Sequence, residues 1–367
     1  MSDTGFISAT SIVMSSHGEP SEVLRGHELV FESVPEDCVL VEMILASVNP
    51  SDKSRIRGVY PTSIPDRDFK LASDPSQDVT GTLAGNEGVG KVTKLGSAQV
   101  TDINNVQISE GDWVIPFDFG SLGAWSSKLV IKAKSVVVIK NTEGLTADDC
   151  CSIKVNAATS YRMLLDIVTL NKGDYVIQNG ANSGAGQYLI QLAHLWGFKT
   201  INVIRDRANY QETVDYLTSL GADIVVKDSE LGTPEVDEQL KNLDGPIRLA
   251  INCIGGENAQ KMARYLEANG TFSTYGAMTL DPIVVSAPSF IFKNLTYKGY
   301  WLGLFYKNNP VSVWIKTWYD ILELMRQGKL VAQKSRHLDV SANLNAELLQ
   351  DTVFNALNSS EKVAIQF

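Results

Sequence analysis

Basic tracts, long apolar runs and metal-ligand spacings are all scarce in this 367-residue chain. Lys and Arg number 32 against 42 Asp and Glu, a formal net charge of -10, and no Lys/Arg-rich run occurs. That balance argues against nucleic acid or an anionic membrane as a main partner. No apolar run approaches about 18 residues, the shortest that crosses a bilayer as a helix, so no membrane span is expected. The four cysteines, Cys38, Cys150, Cys151 and Cys253, show no C-x-x-C spacing, and there are only four histidines. A structural or catalytic zinc site is therefore not expected, and the thiols read as reduced and mostly buried. The first residues, MSDTGFISATS, include Asp3 and no basic residue before Arg25. They form neither a secretory signal nor an Arg-rich transit peptide. The expectation is a presequence already removed or never present. Internal repeats and low-complexity tracts are missing as well.

What is there is an ordinary globular composition, 44% hydrophobic and 20% charged. At roughly 150 residues per domain the length suggests two domains. The most informative stretch runs from Asp174 to Arg207. Tyr175-Val176-Ile177 is too short for a helix and reads as a buried strand. A loop of small residues, Asn179 to Gly186, follows, and then Tyr188, Leu189, Leu192, Ala193 and Leu195 recur at helical spacing. A second apolar run, Ile201–Ile204, ends in Arg205-Asp206-Arg207. Strand, glycine-rich turn, helix and strand make one βαβ unit of about 30 residues, the size of a mononucleotide-binding half. Its glycines let a pyrophosphate approach bare backbone at the positive end of the helix. The G-x-G-x-x-G spacing is blurred by Asn182 and Ser183, and an ordinary loop is the competing reading. An NAD site wants a carboxylate at the end of the second strand, whereas arginine accommodates a 2′-phosphate. Arg205 and Arg207 flank Asp206, which points to NADPH; a solvated charge cluster is the alternative.

Residues 1–160 look β-rich, with runs at Ile7–Met14, Val39–Val48, Gly88–Lys94, Trp113–Pro116, Leu129–Ile131 and Val136–Ile139, as in a small barrel or curled sheet. Asn49-Pro50-Ser51-Asp52 and Gly58-Val59-Tyr60-Pro61 lie between strands. A Pro/Asp/Ser-rich segment, Thr62 to Thr82, reads as an exposed, mobile loop. A helical pattern spans Thr146 to Val168. After Arg207 the βα alternation continues: a helix at Gln211–Leu220, strands at Ile224–Val226 and Ile247–Asn252, a helix near Ala259–Leu266 and a strand at Thr271–Tyr275. That is the doubly wound pattern. Ile283–Tyr300 reads as further extended segments. Val311–Arg326 and Glu347–Leu357 read as amphipathic helices, and Lys362–Gln366 as a closing strand.

A β-rich N-terminal domain joined to a Rossmann domain resembles the medium-chain dehydrogenase/reductase superfamily. Within it, several stretches resemble the mitochondrial 2-enoyl thioester reductases, the yeast ones in particular: HGEPSEVL (17–24), VNPSD (48–52), GVYP (58–61), GNEGVG (85–90), GDWVIP (111–116), VNAATSYRML (155–164), VIQNGANSGAGQ (176–187), NVIRDR (202–207), LAINCIGG (249–256), TYGAM (274–278) and FKNLTYKGYW (292–301). The resemblance implies an α/β fold, with a GroES-like β-rich catalytic domain over 1–160 and 301–367 and a doubly wound, parallel-sheet Rossmann domain binding NADPH over 161–300. It implies Tyr60 as the proton donor. It carries Asn156 over as a contact near the nicotinamide, and Asn182, Ser183, Gly184 and Ala185 as the pyrophosphate loop. Arg205, Asp206 and Arg207 become the adenosine phosphate end. Tyr275, Gly276, Ala277 and Met278, with Tyr300, Trp301 and Leu302, frame nicotinamide and acyl channel, and Lys362 contacts cofactor. Read without the resemblance, Tyr60 is a turn aromatic, Asn156 a cap, Trp301 a core aromatic and Lys362 solvated surface. Three departures, Ala157 for proline, Ala277 for glycine and Ser126 for the arginine after Trp125, bear on fine substrate geometry.

Zinc members of the superfamily carry a Cys near the present Asn49–Asp52 and Gly-His-Glu near Gly85-Asn86-Glu87; neither ligand is here. Hydride chemistry without a Lewis acid suits a conjugated acceptor, where hydride adds to the β-carbon and charge develops on the thioester oxygen. A phenol, ordinarily titrating near about pH 10, can donate the proton to the α-carbon. The activity implied is NADPH-dependent saturation of the 2,3 double bond of enoyl-CoA or enoyl-acyl carrier protein, a step of fatty-acid synthesis. A zinc-free quinone oxidoreductase and a non-catalytic nucleotide-binding regulator are the alternatives. The resemblance also implies a homodimer joined edge to edge through Ile283–Tyr300, and a place in the mitochondrial matrix, with the cytoplasm as alternative.

Overall fold

The computed structural model describes residues 6–61, 66–117 and 123–367, and its chain divides into two units. The first comprises residues 1–154, 310–326 and 334–367; the second comprises 155–309 and 327–333.

In the first unit, Ile7–Met14 pairs antiparallel with Leu24–Phe31 along its whole length. Arg67–Leu71 joins Leu24–Phe31, Asp78–Leu83 pairs with Arg67–Leu71, and Val13 and Met14 meet Leu83 and Thr82, which closes a four-stranded barrel. Val13, Leu29 and Phe69 fill it. Two of these strands lie in the stretch 66–82 that reads from sequence as a mobile loop, and that expectation is corrected here. RDFKL and DVTGTL bury few residues each, so their polar composition mimics a loop, while the strands that order them, Leu24–Phe31 and Ile7–Met14, are forty or more positions away. Thr62–Pro65 lie outside the described residues.

A larger sheet is built around the eleven-residue strand Cys38–Val48, whose apolar run is buried almost throughout. Glu87–Leu95 lies along one side of it, and Lys128–Lys132 and the C-terminal Val363–Gln366 share the other. The helix Val311–Arg326 packs Trp314 and Trp318 against Phe117, with ring centroids 4.9 and 6.3 Å away. Burying such aromatics contributes strongly to a core.

The second unit is a six-stranded parallel sheet. Tyr175–Asn179 is central, flanked by Lys199–Ile204 and then Ile224–Lys227 on one side, and by Ile247–Asn252, Thr271–Thr274 and Thr296–Gly299 on the other. Numbered along the chain the order is 3-2-1-4-5-6, so the topology reverses between Tyr175–Asn179 and Ile247–Asn252, where doubly wound sheets bind ligands at their carboxyl ends. The segment 283–300 departs from expectation: only Thr296–Gly299 is a strand, and Ala287–Phe292 is a short helix started by Pro288. Between Cys151 and Ala158 the helical stretch contains a π-turn, Ile153–Ala157, a device frequent at functional sites.

Candidate active site

Each unit holds a distinct group of residues. In the parallel sheet, the chain leaves the buried strand at Asn179 and turns through Gly180, whose φ of +60° favours glycine. A Cβ there would sit 2.7 Å from Cys253 Sγ. Ser183 caps the helix Gly184–Trp196 by accepting the Gly186 N–H at 3.1 Å, and at Gly186 a side chain would collide with the Ala181 backbone. The remaining N–H groups of this first turn, with Asn182, Ser183, Gly184 and Ala185 around them, form a donor-rich end of positive dipole. Asn156, on the π-turn, comes to the same place: its Nδ2 donates to Gln333 Oε1 at 2.9 Å, and both lie where a Cβ at Gly184 would be. Gln333 was not foreseen. It sits in no motif, and only the tertiary fold brings it, nearly fully buried, to the helix start.

The switch point is lined by amides. Asn179 Nδ2 donates to Asn252 Oδ1 and Asn258 Oδ1, both at 2.8 Å, and Asn179 Oδ1 accepts the Cys253 N–H at 2.8 Å. Asn252 Oδ1 also accepts from the N–H groups of Ile254 and Gly255. These bonds fix the turn after the fourth strand, against which Tyr275-Gly276-Ala277-Met278 is laid: Tyr275 N–H bonds Asn252 O at 3.0 Å and Met278 N–H bonds Cys253 O at 2.9 Å. Burial pushes the Tyr275 phenol well above its ordinary range, with the Cys253 thiol adding to the shift and Ser183 opposing it. Ala277 and Met278 are exposed. Tyr300 hangs from the sheet through its N–H to Thr274 O at 2.8 Å, and burial raises its phenol too. Trp301 caps the helix Leu302–Asn308 and lies over Gly303, where a Cβ would touch its ring. Arg205, Asp206 and Arg207 are exposed just beyond the second strand, separate from the loop residues in sequence and joined to them by parallel pairing of Asn179 with Val203.

In the β-rich unit, Asn49 starts the helix Pro50–Ile56, with its N–H donating to Asp52 Oδ2 at 2.7 Å. Gly58, at φ +72°, ends it, with His17 packed where a Cβ would be. The N–H groups of Gly58 and Val59 bond Arg55 O and Ser54 O, and His17 Nδ1 lies 3.1 Å from Arg55 O. This turn presents Tyr60, half-buried, with the Arg55 guanidinium 4.7 Å over its ring.

Beneath the helix lies a buried ionic network. Asn49 Nδ2 donates to Glu87 Oε2 at 2.9 Å, while Lys362 Nζ donates to Asn49 Oδ1 at 2.5 Å and Val48 O at 2.9 Å. Lys154 Nζ donates to Asn86 O and Oδ1 at 2.9 and 3.1 Å. Asp52 and Glu87 are 3% and 0% exposed, so the lysines compensate charges that would otherwise be very costly to bury. Desolvation raises the Asp52 carboxyl and lowers the Lys362 ammonium; Arg55, Lys362 and Lys154 oppose the first shift, and Glu87, Cys151 and Asp52 the second. The Cys151 thiol is pushed up to about 12, mainly by burial. All four cysteines are free and buried.

The chain matches the zinc-binding dehydrogenase family over residues 184–325. It is 42% identical to the mitochondrial enoyl-[acyl-carrier-protein] reductase of Arabidopsis thaliana over 87% of this chain and 79% of that one, and 32% identical to that of Schizosaccharomyces pombe over 98% and 94%. The chain belongs to the enoyl-acyl-carrier-protein reductase family. Among solved structures, that of Etr1p with NADP and crotonyl-CoA is 33% identical, with TM-score 0.86 over 98% of this chain and all of the other. The mitochondrial 2-enoyl thioester reductase Etr1p/Etr2p heterodimer from Candida tropicalis gives 33% and 0.85 over 98% and 100%. Quinone oxidoreductase of Escherichia coli, 18% identical with TM-score 0.74 over 98% and 100%, shares the fold. The zinc of the first family's description does not fit the network around Glu87. Asn49 and Asn86 offer amides already bonded to Glu87 and to two ammonium groups, which would repel a metal ion. Among the described residues no three His, Cys, Asp or Glu side chains are grouped to hold a metal. A dinucleotide does fit the other unit: Gly184 and Gly186 keep the backbone bare at the helix start, and beyond the second strand Arg205 and Arg207 are exposed and form no ion pair among the described residues.

Proposed function

We propose that this protein is an NADPH-dependent reductase that saturates the 2,3 double bond of trans-2-enoyl thioesters carried on CoA or acyl carrier protein. The observation that carries the reading is its likeness along the whole chain to Etr1p bound to NADP and crotonyl-CoA. Asn182, Ser183, Gly184 and Ala185 would cradle the pyrophosphate at the helix dipole, and Arg205 and Arg207 would take the 2′-phosphate in charge-assisted contacts. Asn156 would lie near the nicotinamide, Tyr275–Met278 and Tyr300–Leu302 would frame nicotinamide and acyl channel, and Lys362 would contact cofactor. Bound NADPH supplies the hydride. On the protein's side, Tyr60 is the acid: as the β-carbon gains hydride, charge moves onto the thioester oxygen, and the phenol O–H delivers its proton to the α-carbon. Arg55 is a cation beside the phenolate that proton loss leaves.

The same reading makes the protein a dimer of identical chains. Thr296–Gly299 pairs on one side only among the described residues, and in the segment that precedes it Leu280, Val284, Phe290, Ile291 and Phe292 are exposed, the first and last at 83%. An unpaired edge with so much apolar surface is normally covered. The mitochondrial names of the relatives support a mitochondrial location. The test of function is NADPH oxidation with crotonyl-CoA against a simple quinone. Fast turnover of the thioester is expected; turnover of the quinone alone would move the protein to the oxidoreductase reading.

A further inference from the structure

The adenosine end contains a charge arrangement that the Arg205-Asp206-Arg207 motif does not announce. Asp206 stands between two arginines in sequence, yet among the described residues it forms no ion pair with either. Its partner is Lys227, at the end of the adjacent strand Ile224–Lys227, with Nζ 3.4 Å from Asp206 Oδ2. The lysine is fixed from three sides. Strand pairing sets Lys227 opposite Ile204, one residue before Arg205. Its ammonium lies 5.0 Å over the Tyr210 ring, and Glu230 Oε1 lies 3.6 Å away. Tyr210 is in turn anchored by its N–H to Arg207 O at 2.9 Å. At 28% side-chain exposure, Lys227 is more enclosed than either of its carboxylate partners.

This arrangement has a consequence for phosphate recognition. A carboxylate within reach of two guanidinium groups is a competitor for them: an Arg–Asp pair is the same bidentate contact that a phosphate would make. With Asp206 occupied by Lys227, Arg205 and Arg207 form no ion pair among the described residues. Of the five side chains Arg205, Asp206, Arg207, Lys227 and Glu230, the formal charges leave one net positive, and without Lys227 none. We propose that Lys227 is a positioning residue for cofactor choice, which holds Asp206 off the two arginines so that they meet the 2′-phosphate. Without it, Asp206 pairs with an arginine and also presents its charge to the phosphate, and both effects act against NADPH and not against NADH. The proposal rests on the NADPH reading above.

The test is binding, not turnover: dissociation constants of NADP+ and NAD+ measured by calorimetry for the wild type, Lys227→Met, Asp206→Asn and the double variant. Methionine keeps the stem over Tyr210, and thermal melts check that the strand end stays folded. Lys227→Met is expected to weaken NADP+ about three- to tenfold, the range of a partly exposed ion pair acting on a doubly charged ligand. NAD+ affinity should stay within about twofold or improve. Adding Asp206→Asn should recover most of the NADP+ loss, because no carboxylate then competes. Equal weakening of both nucleotides, or no rescue by Asp206→Asn, overturns the role of Lys227 while leaving the NADPH reading intact. A wild type that binds NADP+ no better than NAD+ overturns that reading itself, and the proposal with it.

Discussion

Tyr60→Phe removes one oxygen from a ring that Arg55 covers and that the Gly58 turn presents, and leaves the packing of both. Its effect on melting temperature should therefore be small, while loss of a general acid typically costs about 10²–10⁴-fold. We expect kcat with crotonyl-CoA to fall by that factor at nearly unchanged NADPH binding. Wild-type turnover in this variant would make Tyr60 a turn aromatic and nothing more. The arginines are tested by the same logic on the other unit. Charge-assisted contacts are worth about 1.5–3 kcal/mol each, so Arg205→Ala with Arg207→Ala should raise KM for NADPH by about one to a few orders of magnitude. The slow reaction with NADH should barely change, and equal losses with both cofactors would assign the arginines to structure.

At the scale of elements, the network around Glu87 ties the start of the helix Pro50–Ile56, which leads to Tyr60, to the strand Glu87–Leu95 and to the C-terminal strand. Its pH response follows from two opposite shifts. Asp52 is raised by burial, so its contribution to stability is complete below the ordinary carboxyl pKa and is lost as pH rises through its raised value. Lys362 is lowered by burial, so its contribution is present above the ordinary lysine pKa and lost as pH falls through its depressed value. Asp52→Asn removes the first response and keeps an oxygen for the Asn49 N–H. The melting temperature of the variant relative to wild type should climb as pH rises above the ordinary carboxyl range, where a raised carboxyl ionises. A difference flat with pH would mean that Asp52 carries no such cost. None of this network was legible beforehand: the resemblance offered Lys362 as a cofactor contact, and Lys154, Asn86, Glu87 and Asp52 meet across three separate parts of the chain. The βαβ unit was legible because its strand, turn and helix are local: small residues where backbone must be bare, then apolar spacing of 3.6. Of the expected N-terminal barrel, Arg67–Leu71 and Asp78–Leu83 were not, since partners distant in sequence order them. APSFIF, apolar at every position but two, is too short for periodicity to separate helix from strand.

For the whole molecule, the decisive surface is the one around the edge strand Thr296–Gly299. Phe290 packs toward Tyr297 at 6.0 Å between ring centroids, and Tyr297 toward Phe272 in the sheet core at 5.2 Å, so the exposed helix Ala287–Phe292 is continuous with rigid structure. A patch held this firmly costs little entropy to bury, which is what a permanent interface requires. The Etr1p/Etr2p pair of Candida tropicalis is itself a dimer. Two-fold pairing would place the same strand and the same apolar residues against themselves and bury about 1,200–2,000 Å² or more. Ile291→Asp with Phe292→Asp puts four carboxylates into that interface. Light scattering on a sizing column should find a dimer for the wild type and a monomer for the variant. The folded circular dichroism spectrum should persist, because these side chains are exposed and fill no core in the single chain. A variant that stays dimeric would place the joint elsewhere, and a monomeric wild type would leave the apolar edge uncovered and the dimer reading wrong.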